Sequence, residues 1–313
     1  MLGVPTMHVR NARRRRTLLN IMIVVTTPTG AIGQQVLRHL IDSREAIRVI
    51  ARDAARLPAH VRDRAEVVLG SHGDPAVVDR AFAGAACVFW LPPPDPRATS
   101  VETAYVGFTR PACAALKRHG VKRVVGVSAL GRGLSANADY VTGSLAMDDL
   151  IANTGVAYRA LVMPSFMDNL LRQVDAIKNR GMFVSTIRPG LKAPACATRD
   201  IAAVAARLLL DHSWRGTAEV PVLGPEDLSH DDMAQIISHV LGTPVRYRQI
   251  PVAAMKATMI ERGMSEAMAQ GRVDMMTAKD AGLDNGVART PESSTPTTFR
   301  QWCEEVLKPA VLA

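Results

Sequence analysis

VVTTPTGAIGQQVLRHLI, residues 24–41, decides the fold. A β-branched run, Ile21 to Thr26, reads as a buried strand. A turn of Thr, Pro and Gly interrupts it. Ile32, Val36, Leu37, Leu40 and Ile41 then share one face of a helix over Gly30 to Ile41. A strand that feeds a Gly-rich turn and then a helix points free backbone N–H groups and the positive end of the helix dipole at one spot. A pyrophosphate binds at such a spot. Gly30 lets a phosphate approach the backbone, and Gly33 lets the helix pack close to the strand. Thr27 stands where such a turn normally carries its first glycine; Pro28 sets the turn in its place and Thr29 offers a hydroxyl.

The same rhythm continues outward. Strands are expected at Ala46–Ala51, Ala65–Leu69, Cys87–Leu91, Val121–Val127 and Val156–Val162. Helices lie between them: one started by Asp74-Pro75, one carrying the stripe Val101, Tyr105, Phe108, Ala112, Ala115 and Leu116, and one over Tyr140–Asn153. Alternation over this length predicts a parallel sheet covered on both faces. After Pro164 helices dominate, at Ser165–Lys178, Arg199–Leu210 and Ser229–Leu241, with short strands at Glu219–Leu223 and Val245–Ile250. Thr290–Thr298 reads as a loop. The expectation is an α/β protein: a doubly wound Rossmann sheet over residues 22–163, then its last strands and a smaller, mostly helical substrate lobe over 164–313.

Composition agrees. The chain has 313 residues and is 48% hydrophobic but only 4% aromatic, so its core is built from Val, Ile, Leu, Ala and Met. No run reaches the roughly 18 apolar residues of a membrane span. Cys87, Cys113, Cys196 and Cys303 are widely spaced and read as free thiols in a reducing compartment, which points to the cytoplasm. The eight histidines form no HExxH or paired-Cys pattern, so no metal site is expected. The first 21 residues hold five arginines and no acid, and without them the net charge falls from +9 to +4. RRRR followed by TLLNIMIVV imitates a signal peptide, yet the apolar run leads straight into the turn. Residues 1–21 are therefore read as a disordered basic extension, with Met22 as the natural start. No nucleic-acid contact is expected of the body of the chain.

The second strand ends Ile50-Ala51-Arg52-Asp53. An acid at its end would hold a ribose hydroxyl; Arg52 is instead placed to clamp a 2′-phosphate, which favours NADP(H) over NAD(H). Asp53 comes one residue late.

From TPTGAIG through IRVIARD, VVLGSHGDPAVVDRAFAGAACVFWLPPP, VKRVVGVSALG, GVAYRALVMPSFMDNLL, TRDIAAVAARLLLD and LSHDDMAQIISHVLGTPV, the chain resembles the NmrA-like family. These are atypical short-chain dehydrogenases that include quinone and azo-dye reductases and isoflavone-reductase relatives. The resemblance covers nearly all of residues 22–303. It implies a Rossmann domain binding an extended NADP, with a small carboxyl-terminal substrate lobe. It carries nucleotide contacts onto Thr27, Thr29, Gly30, Ala31, Ile32, Arg52, Leu91, Pro92, Pro93, Ser128 and Ala129. Met163 and Pro164 would border the nicotinamide, and Phe166 and Asn169 the substrate cleft.

Three departures stand out. Gly70-Ser71 replaces a Gly-Asp pair near the adenine. Met163-Pro164 replaces Arg-Pro. No tyrosine begins a Tyr-x-x-x-Lys proton-donor motif: Ser144, Thr109, Val162 and Pro251 lie four residues after Tyr140, Tyr105, Tyr158 and Tyr247. The family's frequent lysine in the fifth helix is also missing. Tyr140, in the Asn137–Thr142 segment, is the remaining candidate donor, and Ser128 is either a ligand hydroxyl or a strand-end cap. Met255, Met259, Met264, Met268, Met275 and Met276 crowd the last lobe, as core or as the lining of an apolar pocket. The expected activity is hydride transfer from NADPH to a small apolar acceptor such as a quinone. The alternative is a non-catalytic redox sensor that binds a regulatory protein. Monomer and homodimer both stay open.

Overall fold

The computed structural model describes residues 21–133 and 138–313. The basic extension therefore lies outside the described residues up to position 20. Ile21 already belongs to the fold: its N–H donates to Glu45 at 2.6 Å and its carbonyl accepts the Ala46 N–H at 2.9 Å.

The amino-terminal half runs β1 (Met22–Val25), α1 (Ala31–Leu40), β2 (Ala46–Ala51), α2 (Ala59–Arg64), β3 (Glu66–Leu69), α3 (Pro75–Phe82) and β4 (Ala85–Trp90). A π turn, Thr103–Gly107, leads into α4 (Phe108–His119), then β5 (Arg123–Ala129), α5 (Asp139–Ala152) and β6 (Ala157–Met163). The second half runs β7 (Ser165–Phe166), a 3-10 segment (Met167–Gln173), α6 (Val174–Arg180), β8 (Met182–Ser185), β9 (Ala193–Cys196), α7 (Thr198–Leu210) and β10 (Thr217–Pro221). It closes with β11 (Asp227–Leu228), α8 (His230–Leu241), β12 (Arg246–Gln249), α9 (Val252–Glu261), α10 (Glu266–Asp280), α11 (Phe299–Trp302) and, past a second π turn, α12 (Lys308–Leu312).

Seven strands pair in the order β10-β6-β5-β4-β1-β2-β3, every neighbour parallel. Parallel strands must be buried on both faces, and β1 shows how. Ile23 and Val25 pack with α1 and α7 on one side, while Val24 packs with α3, α4 and α5 residues on the other. The strand order reverses between β1 and β4, and ligands bind at the carboxyl ends of strands around such a switch point. The doubly wound sheet expected from sequence is therefore present.

The second half departs from expectation in detail. Only β10 joins the main sheet. The others form two small sheets, β11-β9-β7 and β12-β8, around a separate core that includes Phe183, Ile237, Phe299 and Trp302. The expected helix over Ser165–Lys178 begins instead as a strand, because Ser165 and Phe166 pair with Ala195 and Cys196; the α-helix starts only at Val174. Periodicity cannot reveal so short a strand, because its pairing partner is distant in sequence. Met268 and Met275 are buried with Val101, Tyr140 and Val141, which joins α10 to α5, so these two are core. Met255 and Met259 are half-buried on α9, a helix with no buried residue.

Candidate functional site

The turn after β1 is built from both ends. Thr26 is fully buried; its hydroxyl donates to the Phe89 carbonyl at 3.0 Å and accepts the Leu91 N–H at 3.0 Å. This ties the ends of β1 and β4 together at the switch point. Thr27 follows with φ of 49°, the only positive φ of a non-glycine among the described residues. That left-handed conformation is why glycine is the usual residue here. The Gly30 N–H donates to the Thr27 carbonyl at 2.9 Å and closes the turn. Gly30 itself has an ordinary φ of −81°. Gly33 is under a harder constraint: a Cβ there would overlap the Thr27 carbonyl oxygen and lie 2.8 Å from its carbon. No larger residue lets α1 approach so closely.

The N–H groups of Ala31, Ile32 and Gly33 are left without helical acceptors, as in any first turn, and no acid competes for them. The Thr27 hydroxyl is buried with no hydrogen-bond partner among the described residues. Buried hydroxyls rarely stay unpaired. An anion would satisfy the free N–H groups. Thr29 is half-buried, and its carbonyl accepts from the Gln34 side chain at 2.7 Å.

Arg52 is exposed at the end of β2 and makes no ion pair within the described residues. Asp53 is committed elsewhere: its carboxylate accepts the Ala55 N–H at 2.9 Å and caps a short 3-10 turn. His72 was not foreseen. It is buried edge-on against Trp90 and Phe108 and bonds the Leu91 carbonyl through Nε2 at 3.1 Å. Nε2 must carry the proton to donate to a carbonyl. Burial lowers its pKa to about 4, with a smaller push from Arg52, so the ring is neutral near pH 7. Leu91 is thus fixed at its N–H by Thr26 and at its carbonyl by His72. Pro92 and Pro93 continue from it outside any regular element.

At the end of β5 the hydroxyl of Ser128 donates to Asp148 on α5 and lies 3.3 Å from the Ser144 hydroxyl. Tyr158 donates to the other Asp148 oxygen at 2.6 Å. Burial raises the Asp148 pKa to about 6, and the two donated hydrogen bonds only partly offset it. The Ser128 side chain is thus engaged within the fold. Tyr158 is fully buried, and burial together with Asp148 holds its phenol well above the ordinary range. A cavity of about 310 Å³ opens beside Asp148, lined by Arg132, Tyr158 and Glu219, and none of the expected nucleotide contacts borders it.

Ala129 and Met163 pair across β5 and β6, with Pro164 buried just beyond. Phe166 is half-buried on β7, and Asn169 half-buried in the 3-10 segment. The neighbouring Asp168 holds that segment to α7 by accepting the Thr198 N–H and hydroxyl at 2.9 and 2.7 Å. Tyr140 lies in the first turn of α5, at the start of the expected Tyr140–Asn153 helix; Asn137 falls outside the described residues. Its ring meets Tyr105 edge-on at 6.0 Å, and the Arg272 guanidinium lies 5.9 Å from its centre. Burial raises the phenol pKa and Arg272 opposes that shift. Among the described residues no helix is long and apolar enough to cross a membrane, and no three His, Cys, Asp or Glu side chains converge as metal ligands would.

A family model described as NAD(P)H-binding matches residues 28–212, more than half of the chain. The chain belongs to this NAD(P)H-binding family. It is 29% identical over 293 residues to an NAD(P)H azoreductase from Xenophilus azovorans, covering 90% of this chain and 96% of that one. It is also 29% identical over 289 residues to a (4-alkanoyl-5-oxo-2,5-dihydrofuran-3-yl)methyl phosphate reductase from Streptomyces griseus, covering 91% and 97%. Among solved structures, the NADPH complex of an NADPH-dependent quinone oxidoreductase from Escherichia coli superposes with a TM-score of 0.72 at 22% identity, over 90% of this chain and 98% of that one.

The geometry fits an NAD(P)H-binding chain. The left-handed turn at Thr27, the close approach at Gly33 and the free first turn of α1 suit a pyrophosphate. Sequence reasoning missed Thr26, His72, Asp148 and Arg272. Asp148 left a trace, an acid four residues after Ser144 on an otherwise apolar face. Thr26 left none, since any strand-terminal threonine reads alike.

Proposed function

We propose that this protein is an NADPH-dependent reductase that passes a hydride to a small apolar acceptor such as a quinone. The turn at Thr27–Gly33 carries the reading: Thr27 holds the left-handed conformation, Gly33 lets α1 pack against it, and the first turn of α1 carries no acid. The names of the relatives support the reaction class. An azo compound, an unsaturated lactone and a quinone are all conjugated electrophiles that take a hydride without a strong general acid.

When bound, the cofactor supplies the hydride. The chain binds, orients and shields it. Thr27, Thr29, Gly30, Ala31, Ile32 and Gly33 receive the pyrophosphate. Arg52, free of any carboxylate partner, takes the 2′-phosphate. Leu91, Pro92 and Pro93 wall the groove at the switch point. The backbone of Ser128 and Ala129, with Met163 and Pro164, borders the nicotinamide. Phe166 and Asn169 face the acceptor. Residues 22–163 form the cofactor half and 164–313 complete the substrate half. Tyr140 replaces the absent Tyr-x-x-x-Lys donor: no hydrogen bond holds its hydroxyl within the described residues, so it can give a proton to the acceptor oxygen and recover one from solvent.

Calorimetric titration of NADPH and NADH tests the reading. The protein binds NADPH more tightly than NADH, and Arg52→Ala weakens NADPH alone by about 10- to 100-fold. No binding of either nucleotide to the unaltered protein overturns it. The rival sensor reading draws on one observation, the commitment of Ser128 and Tyr158 to Asp148, which leaves no conventional acid at the end of β5. NADPH consumption with any quinone rules the sensor out.

A further inference from the structure

We propose that Asp148 returns the proton that Tyr140 gives up, drawing it from the cavity between α5 and β10 and passing it through the hydroxyls of Ser128 and Ser144. This rests on the reductase reading and names the path its proton takes.

Tyr140, Ser144 and Asp148 follow one another at four-residue spacing and are all buried, so they share the inner face of α5. Asp148 has contacts toward two places. Its Oδ2 accepts the hydroxyl of Ser128 at the carboxyl end of β5, and Ser128 in turn lies 3.3 Å from the Ser144 hydroxyl. Asp148 also borders the cavity of about 310 Å³, whose lining includes the more exposed Arg132 and Glu219. The carboxyl is held in this position from β6, because its Oδ1 accepts the Tyr158 hydroxyl at 2.6 Å. A Cβ at Gly126 would lie 2.2 Å from that hydroxyl, so only glycine on β5 leaves room for the bond. Burial and Asp148 hold the Tyr158 phenol well above the ordinary range. It therefore stays protonated and fixes the carboxyl without joining the exchange.

Few charges act on Asp148. Arg132, on the segment after β5, lies 3.8 Å from Oδ2 but is committed to Asp149 and Glu219. Glu219 of β10 is a like charge, and the Cys113 thiol of α4, pushed up to about 11 by burial, is neutral. Burial dominates and raises the carboxyl to a pKa of about 6, where it both takes and gives a proton near neutral pH. An ionised carboxylate only accepts, so Ser128 donates to it. A protonated carboxyl donates, and the hydroxyls of Ser128 and Ser144 then turn toward Tyr140, one helical turn further. Each transfer breaks one O–H bond and makes another. The acceptor oxygen takes the Tyr140 proton, Ser144 restores it, Ser128 restores Ser144, Asp148 restores Ser128, and solvent entering the cavity restores Asp148. No electrons move along this path. An acceptor bound at Tyr140 screens its hydroxyl from bulk water, so the supply comes from behind α5.

The test uses the full chain. Stopped-flow absorbance follows NADPH oxidation by a naphthoquinone through the first turnover and into the steady state. In Asp148→Asn and Ser144→Ala the first turnover, which uses the proton already on Tyr140, stays within about twofold of the unaltered protein, while the steady state slows about tenfold or more. Asp148→Glu, which keeps a carboxyl, recovers part of the steady-state rate. Infrared spectra of the cofactor-free protein give a readout apart from activity. A protonated-carboxyl band fades as pH rises through about 6, shifts within seconds in deuterium oxide and is missing in Asp148→Asn. Equal slowing of first and later turnovers in both variants means that Asp148 only holds the shape of the site, and overturns the inference. Unchanged steady-state rates overturn it too, as does a carboxyl band that fails to exchange in deuterium oxide. Should Asp148→Asn fail to fold, Ser144→Ala, which removes one oxygen, carries the same comparison. Absence of turnover by the unaltered protein with every quinone removes the reductase reading and the relay with it. A relay that fails while turnover persists leaves that reading standing.

Discussion

Replacing Thr27 with glycine relieves the most unusual backbone in the chain. At φ of 49° a β-branched residue crowds its own carbonyl, which costs about 1–2 kcal/mol. The buried, unpaired hydroxyl adds a desolvation cost of about 1–3 kcal/mol. Against these, glycine gains about 0.5–1 kcal/mol of unfolded-chain entropy, and the lost methyl removes about 0.8 kcal/mol of burial. The balance favours Thr27→Gly by about 2 kcal/mol in the cofactor-free protein, or roughly 4–8 °C in Tm. Urea denaturation reads the free energy, with an unchanged m-value expected. Thr27→Ala separates the terms, because it removes the hydroxyl and keeps the strained φ; it falls between the two. With NADPH present the advantage of glycine shrinks, because loss of the hydroxyl lowers affinity by roughly 3- to 10-fold. If Thr27→Gly destabilises the cofactor-free protein, the turn is not left-handed at Thr27 or its hydroxyl has a partner, and the account of this site fails.

Gly33→Ala forces a methyl into the Thr27 carbonyl, so it lowers stability by about 1–3 kcal/mol in thermal melts and abolishes NADPH binding in calorimetry. Asp148 gives a pH signature. Its folded pKa of about 6 exceeds the ordinary 3.8, so its contribution is fully present below pH 4 and is lost as pH rises through 6, by about 3 kcal/mol in all. Asp148→Asn keeps partners for Ser128 and Tyr158 but cannot titrate; the stability of the unaltered protein relative to this variant therefore falls by that amount between pH 4 and pH 7, and a constant difference sinks the assignment. His72 works in the opposite sense, since its lowered pKa stabilises the fold above pH 6.5 and is lost on acidification toward pH 4. His72→Gln removes that acid-side loss in the same denaturation series. Tyr140→Phe lowers kcat for quinone reduction several-fold and leaves NADPH affinity unchanged; an equal loss in both would make Tyr140 part of the nucleotide site.

The sequence by itself determined the wound sheet and the place of the turn. Apolar runs such as Ile21–Val25, the caps at Asp74 and Ser229 and the glycines of the turn act through local geometry, which neighbouring residues already encode. It also marked Thr27 as the departure, although only the backbone shows that Thr27 keeps the glycine conformation. Contacts between distant segments were decided by the tertiary structure. Phe166 is a strand because it meets Cys196, Ser128 is engaged because Asp148 lies beneath it, and Arg272 stands over Tyr140 because Gly271 lets two helices touch. Each depends on segments separated by at least twenty residues and brought together only by packing. Periodicity, which reports one face of one element, carries no information about which face of which partner it will meet.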